Sequence, residues 1–122
     1  MATANVVVAE DDAGIRDLVG LTLESAGHTV ESVGAGDDCW ERLETGDRPD
    51  LVILDISMPG LDGEGVLDRI RNDERLRSLP VVFMSGHDRD SDIVSGIEGR
   101  IDDYVHKPFS PGDLCERVAR LV

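Results

Sequence analysis

Four apolar residues in succession, Leu51-Val52-Ile53-Leu54, run straight into Asp55, and the turn-rich segment Ser57-Met58-Pro59-Gly60-Leu61-Asp62-Gly63 follows. A short continuous apolar run bounded by turn residues reads as a strand buried on both faces, the parallel-sheet pattern. Asp55 then stands where the strand stops, at the carboxyl edge of the sheet, which is where ligands bind in open α/β architectures. An aspartate after a strand also serves simply to cap a turn. The segment alone allows either role, and the rest of the chain decides.

Asn5-Val6-Val7-Val8-Ala9 repeats the design, a β-branched run delivering Glu10-Asp11-Asp12. Ile15, Leu18, Val19 and Leu23 then follow the i, i+3, i+4, i+8 spacing of an amphipathic helix, with Thr22 and Ala26 extending the stripe. Asp12 is placed as its N-cap and Gly27 as its terminator. A second strand is expected over His28 to Val33. A weaker helix follows from about Asp37 to Glu44, burying Cys39, Trp40 and Leu43. Gly46, Pro49 and Asp50 break the chain before the central strand. Val66, Leu67 and Ile70 mark a third helix, which gives way to the largely polar segment Asn72 to Ser78.

Pro80-Val81-Val82-Phe83-Met84 is a fourth strand that delivers Ser85-Gly86-His87. Ile93, Val94 and Ile97 give a face to a helix from about Asp88 to Gly99. Gly96 and Gly99 each weaken it by about 1 kcal/mol relative to alanine, so a short, mobile helix is expected. Tyr104-Val105-His106-Lys107 is a fifth strand, stopped by Pro108. Ser110-Pro111-Gly112-Asp113 opens a last helix with a capping pattern and proline at its first position, and Leu114, Val118 and Leu121 form its core side. The order is (βα)5, without repeat or linker. Alternating units of this length imply an α/β fold, a doubly wound parallel five-stranded sheet with helices on both faces.

At 122 residues the chain is expected to form a single domain, 1–122. No apolar run is long enough to span a bilayer and Met1-Ala2-Thr3 opens no signal peptide, so a cytoplasmic protein without membrane contact is expected. Cys39 and Cys115 are far apart in helix-like stretches and read as small buried hydrophobes. A net charge of −14 argues against direct binding to nucleic acid. Lys107 is the one lysine beside many arginines. A carboxylate-rich, lysine-poor surface is the expectation for a halophilic protein, whose self-repulsion high salt would screen.

In a parallel sheet every strand exposes its carboxyl end on one side, and here those ends carry Glu10-Asp11, Asp55, Ser85 and Lys107. Clustered carboxylates repel one another unless a cation sits among them, and a few hard oxygen ligands that leave room for water suit Mg²⁺. A hydroxyl and an ammonium facing the same point hold oxyanions. Together these are the parts of a phosphoryl-transfer site. Each has a plain alternative: acidic pairs are common in an acidic chain, Ser85 can cap a turn, and strand-end lysines are usually solvated. Lys107 is the hardest to dismiss, because the chain otherwise avoids lysine.

Over its whole length the sequence resembles the receiver (phosphoacceptor) domains of two-component response regulators, the CheY-like, flavodoxin-like fold. The resemblance is carried by Glu10-Asp11, by Leu54 through Gly63, by Met84-Ser85-Gly86 and by Asp103-Tyr104-Val105-His106-Lys107-Pro108-Phe109. It implies that Asp55 accepts a phosphoryl group from a sensor histidine kinase or a phosphotransfer protein. It implies Mg²⁺ held by Asp11, Asp55 and the backbone carbonyl of Ser57, with Glu10 reaching the metal through water. It makes Ser85 the switch hydroxyl, Lys107 the partner of the phosphorylated carboxylate, the Lys107–Pro108 bond cis and Tyr104 the switch aromatic. Ser57 and His87 then occupy the variable positions flanking the site, and Gly86 stands where alanine is commoner.

On this reading the chain is a signalling domain rather than an enzyme, although it assists its own phosphorylation and dephosphorylation. Phosphorylation would reposition Ser85 and Tyr104 to control a downstream effector or an attached output domain. A homodimer through the fourth helix, fifth strand and fifth helix is a further expectation. A phosphatase of the haloacid-dehalogenase type would want a carboxylate two residues after the nucleophile, where Ser57 stands. A pseudo-receiver usually lacks an acid, the hydroxyl or the lysine, and all are present. A flavodoxin-like electron carrier would need a hydroxyl-rich phosphate loop and aromatic surface that this chain does not offer.

Overall fold

The computed structural model describes residues 3–86 and 90–122, the side chains of 90–92 and 98 excepted. Among these, β1 (Asn5–Ala9), β2 (Thr29–Val33), β3 (Leu51–Asp55), β4 (Val81–Ser85) and β5 (Asp103–His106) alternate with α1 (Ala13–Ser25), α2 (Gly36–Thr45), α3 (Gly63–Arg71), α4 (Asp90–Ile97) and α5 (Pro111–Leu121). A 3-10 turn, Glu98–Arg100, follows α4. The strands form one parallel five-stranded sheet in the order β2-β1-β3-β4-β5. The expected doubly wound (βα)5 architecture is what forms.

Strand alternation divides the core in two. Val7, Ala9, Val52, Leu54, Val81 and Phe83 face α2, α3 and α4, where Leu43, Val66, Leu67, Ile70 and Ile97 meet them. Val6, Val8, Leu51, Ile53, Val82, Met84 and Val105 face α1 and α5, packing on Val19, Leu23, Leu114 and Val118. Every residue of β3 and β4 is buried, as their uninterrupted apolar runs require when helices cover both faces. Edge strand β2 keeps only Val30 and Val33 half-buried.

The caps form as the sequence indicates. Asp12 Oδ1 accepts from the Ile15 amide at 3.0 Å, and Ser110 Oγ accepts from the Asp113 amide at 3.0 Å ahead of Pro111 at the start of α5. Gly27 adopts φ 98° just beyond α1, the left-handed conformation that ends a helix.

Three sequence expectations need correction. Leu18, assigned to the buried stripe of α1, is 46% exposed. The stripe is broader than the groove it fills, and Val19 and Leu23 occupy that groove. The segment Asn72 to Ser78, read as largely polar, buries Leu76 completely, and Leu79 just beyond it is buried as well. A turn there is built by Asp73, which accepts from the Arg75 and Leu76 amides and directs Leu76 inward. Cys39 is buried as expected, with its thiol pushed up to about 12 by desolvation, but Cys115 is only half-buried. His87 lies outside the described residues.

Candidate functional site

β1 and β3 are neighbours whose crossovers leave in opposite directions along the sheet, α1 toward β2 and α3 toward β4. A crevice opens at the carboxyl ends of such a strand pair. Glu10 and Asp11 follow β1 directly, and Asp55 ends β3. The crevice is a cleft of about 580 Å³ whose lining includes Glu10, Asp11, Asp55, Ser57, Gly86 and Lys107.

Each acidic residue is held by local structure. Glu10 donates its amide to the Val33 carbonyl of β2 at 3.1 Å, continuing the β1–β2 ladder one residue past the strand. Asp55 Oδ1 accepts from the Ser57 amide at 3.4 Å, so the turn after β3 folds back on the carboxylate. Gly63, which starts α3, lies so close to the end of β3 that a Cβ there would fall 2.4 Å from the Asp55 carbonyl oxygen. Only glycine lets the helix begin this near the strand. Gly60, at φ 70°, turns the same loop, and the Leu61 amide beyond it donates to Asp37 Oδ2 of α2 at 3.2 Å.

Glu10 and Asp55 are buried and Asp11 is exposed, and one carboxylate oxygen from each lies within 4.8 Å of the others. Lys107 Nζ donates to Glu10 Oε1 at 2.7 Å and lies 3.3 Å from Asp55 Oδ1. With Asp55 unphosphorylated, Lys107 lies closer to Glu10 than to Asp55. The other Glu10 oxygen, Oε2, is buried with no hydrogen-bond partner.

Burial pushes the Asp55 carboxyl up to about 6, and the adjacent Glu10 adds to the rise. Asp11 is also raised, first by desolvation and then by Asp55. Desolvation works against the Lys107 ammonium, but the hydrogen bond to Glu10 and the charge of Asp55 outweigh it and hold its pKa above the ordinary value. Three oxygen-donor acids, two of them raised and one with an orphaned buried oxygen, outnumber a single ammonium. A buried polar atom left unpaired is costly, and this donor set fits a hard divalent cation.

Most of the remaining predicted residues lie near this cluster, and Tyr104 does not. Ser57 sits exposed on the turn after Asp55. Ser85 ends β4, is fully buried, pairs in register with His106 and accepts the Lys107 amide on its carbonyl at 2.6 Å. The Lys107–Pro108 peptide is cis. Tyr104 lies apart from the carboxylates, half-buried against the α2–α4 side of the core. Its hydroxyl meets His106 Nε2 at 2.8 Å, with the rings edge to face at 4.7 Å. Arg117 of α5 donates to the Tyr104 carbonyl at 3.2 Å and to Asp103 Oδ1 at 2.7 Å.

Sequence reasoning missed Arg16. Its Nη1 donates to the Glu10 carbonyl at 2.9 Å. Its position on the polar side of α1, one turn past the Asp12 cap, was the only available signal.

The chain matches the family model of the response regulator receiver domain over residues 6–119. It is 38% identical over 114 residues to the transcriptional regulatory protein AfsQ1 of Streptomyces coelicolor, covering 93% of this chain and 49% of that protein. It is 32% identical over 117 residues to the alkaline phosphatase synthesis transcriptional regulatory protein PhoP of Bacillus subtilis, covering 96% and 48%. The chain thus spans about half the length of these curated relatives. Among solved structures, the receiver domain of the Francisella response regulator 1452 superposes with a TM-score of 0.84 at 30% identity, covering 97% of this chain and 95% of that one. The chemotaxis response regulator CheY4 of Vibrio cholerae, at 24% identity, shares the fold with a TM-score of 0.88 over 99% of this chain and 100% of that one. Family match, curated relatives and sheet topology agree, and the chain belongs to the receiver domains of two-component response regulators.

Proposed function

We propose that Asp55 is the phosphoacceptor of a single receiver domain spanning 1–122, and that it takes a phosphoryl group from a sensor histidine kinase or a phosphotransfer protein. The observation that carries this reading is the buried Asp55 carboxyl, 3.3 Å from Lys107 Nζ and clustered with Glu10 and Asp11. A carboxylate oxygen of Asp55 attacks phosphorus. The bond from phosphorus to the donor nitrogen breaks, and its electron pair stays with the departing imidazole, which takes up a proton. Asp55 is competent as the carboxylate; burial raises its pKa to about 6 in the metal-free protein, and a bound divalent cation would lower it.

Asp11, Asp55, the Ser57 carbonyl and, through water, Glu10 would hold Mg²⁺, and the orphaned Glu10 oxygen supports a cation there. When bound, that ion supplies charge neutralisation for the phosphoryl oxygens. Lys107 takes up one of those oxygens with its ammonium, and the Ser85 hydroxyl takes another. Phosphorylation adds charge and acceptor oxygens at Asp55. Ser85 and Lys107, each at the end of a strand, carry the change toward Tyr104 and α4.

The domain acts by this switch rather than as an enzyme with a released product, beyond assisting its own phosphorylation and dephosphorylation. The curated relatives carry names of transcriptional regulators about twice this length, which supports control of an attached output domain or a separate effector. The α4–β5–α5 face, with Tyr104 at its centre, is the surface for homodimerisation. With a net charge of −14, direct contact with nucleic acid is left to the output partner. No helix of the described residues is long and apolar enough to cross a membrane, which accords with a cytoplasmic site of action.

Intact mass after incubation with Mg²⁺ and acetyl phosphate at high KCl tests the proposal. One added phosphoryl group is expected, absent from Asp55→Asn and from a sample in EDTA. No addition at any salt concentration, with a kinase supplied as well, would leave a pseudo-receiver that binds partners without modification.

A further inference from the structure

Resting on the metal reading above, we propose that Arg16 is a positioning residue for the acidic pair, locking the end of β1 so that Glu10 and Asp11 face the cation jointly with Asp55. The observations are local and independent of the carboxylates themselves. Arg16 Nη1 donates to the Glu10 carbonyl at 2.9 Å, while the Glu10 amide is taken by Val33 at 3.1 Å. Both backbone groups of Glu10 are therefore tied, one to α1 and one to the end of β2. The Arg16 amide donates to the Asp12 carbonyl at 2.9 Å, the first hydrogen bond of α1, so the guanidinium reaches back to Glu10 from a residue fixed in the helix.

The guanidinium also lies against the loop after β2. A Cβ at Gly34, on the loop after β2, would meet Arg16 Nη1 at 3.0 Å and Cζ at 3.7 Å and nothing else within 4 Å. Arg16 is thus packed against the glycine backbone on one side and bonded to the Glu10 carbonyl on the other. Backbone held in this way fixes where the next two side chains start, and ligand groups misplaced by even about 1 Å lose much of their effect.

Simple electrostatics gives the opposite expectation, which makes the inference sharp. A cation beside a metal site repels the incoming ion. If Arg16 mattered only through its charge, removing it would tighten Mg²⁺ binding. If it positions Glu10 and Asp11, removing it weakens binding despite the lost repulsion.

The test is a Mg²⁺ titration of the full chain, followed by the amide NMR shifts of Asp11 and Asp55, at a temperature where melts in EDTA show each variant folded. Arg16→Gln is expected to weaken Mg²⁺ at least fivefold. Arg16→Lys, which still offers a donor to the carbonyl, should stay within about twofold of the parent. Gly34→Ala, which keeps the arginine but crowds it, should weaken Mg²⁺ about threefold, and adding it to Arg16→Gln should change nothing more, because the methyl then has no neighbour to displace. Should Arg16→Gln fail to fold, Gly34→Ala and Arg16→Lys carry the comparison. Mg²⁺ binding as tight as the parent's or tighter in Arg16→Gln, or equally weakened by Gly34→Ala with and without the arginine, would overturn the inference. A parent chain that binds no Mg²⁺ would instead remove the metal reading on which it rests.

Discussion

Asp55 and Lys107 both hold their protons more tightly in the folded state. The folded protein holds a proton on Asp55 up to about pH 6, whereas the unfolded chain releases it near the ordinary 3.8. The unfolded state therefore binds fewer protons between those limits, and this group's contribution to stability falls as pH rises through the window. Above it, the buried charge is a standing cost of about 3 kcal/mol. Asp55→Asn in EDTA at pH 7.5 should consequently melt several degrees above the parent. The gap should close below about pH 4, where both states are protonated, and a parent as stable as the variant at every pH would contradict this. Lys107, whose pKa is also raised, has the same sign in a higher window: its contribution is complete at neutral pH and fades only above its ordinary 10.5. Lys107→Ala strands the fully buried Glu10 carboxylate and is expected to lose about 3 kcal/mol in urea melts. An unchanged urea midpoint would contradict this. The two substitutions share one ion cluster, so their effects will not add.

At the level of elements, what the sequence reveals is what local patterning controls. Continuous apolar runs gave β3 and β4, and the residues Asp12 and Ser110 gave the starts of α1 and α5, because strand burial and helix capping are written within a few residues. Leu76 was hidden because its burial is arranged from far away. Arg71 of α3 donates to the carbonyls of Arg77, Leu79 and Arg100, and Arg75 reaches back to the carbonyls of Leu43 in the last turn of α2 and of Gly46 just beyond it. These two guanidinium groups satisfy backbone that would otherwise bar the turn from the interior, and no periodicity announces them. Leu18 erred in the other direction, fitting the helical stripe but facing the cleft. The difference is measurable. Leu76→Ala should cost about 2–5 kcal/mol through the cavity it leaves, while Leu18→Ala should stay within about 0.5 kcal/mol. Comparable losses in chemical denaturation would contradict this difference in burial.

For the molecule as a whole, topology and charge decide different things. The convergence of Glu10, Asp11, Asp55 and Lys107 was legible because a parallel sheet gathers distant strand ends on one edge, whereas the choice of Glu10 over Asp55 as the closer lysine partner depends on the loops and was not. Charge has no such bearing on the fold, but it does on stability. Twenty-six acidic side chains face twelve basic ones, so even if every cation is paired, the excess carboxylates still repel one another. Several ion pairs are solvent-exposed, such as Arg120–Glu116 with side chains 62% and 66% exposed, and such pairs contribute little. Salt therefore removes more repulsion than attraction. Screening length falls from about 10 Å at 0.1 M to about 3 Å at 1 M, so the benefit is steepest at low salt and flattens once neighbouring carboxylates are shielded. The melting temperature in KCl should climb by several degrees up to roughly 0.5 M and then level off, if screening of fixed charge is the cause. A climb that stays linear into molar KCl would point to salting-out of apolar surface instead. A flat profile from dilute buffer upward would mean that the folded surface already spaces its carboxylates widely enough to tolerate the excess, and the expectation of a halophilic protein would fall with it.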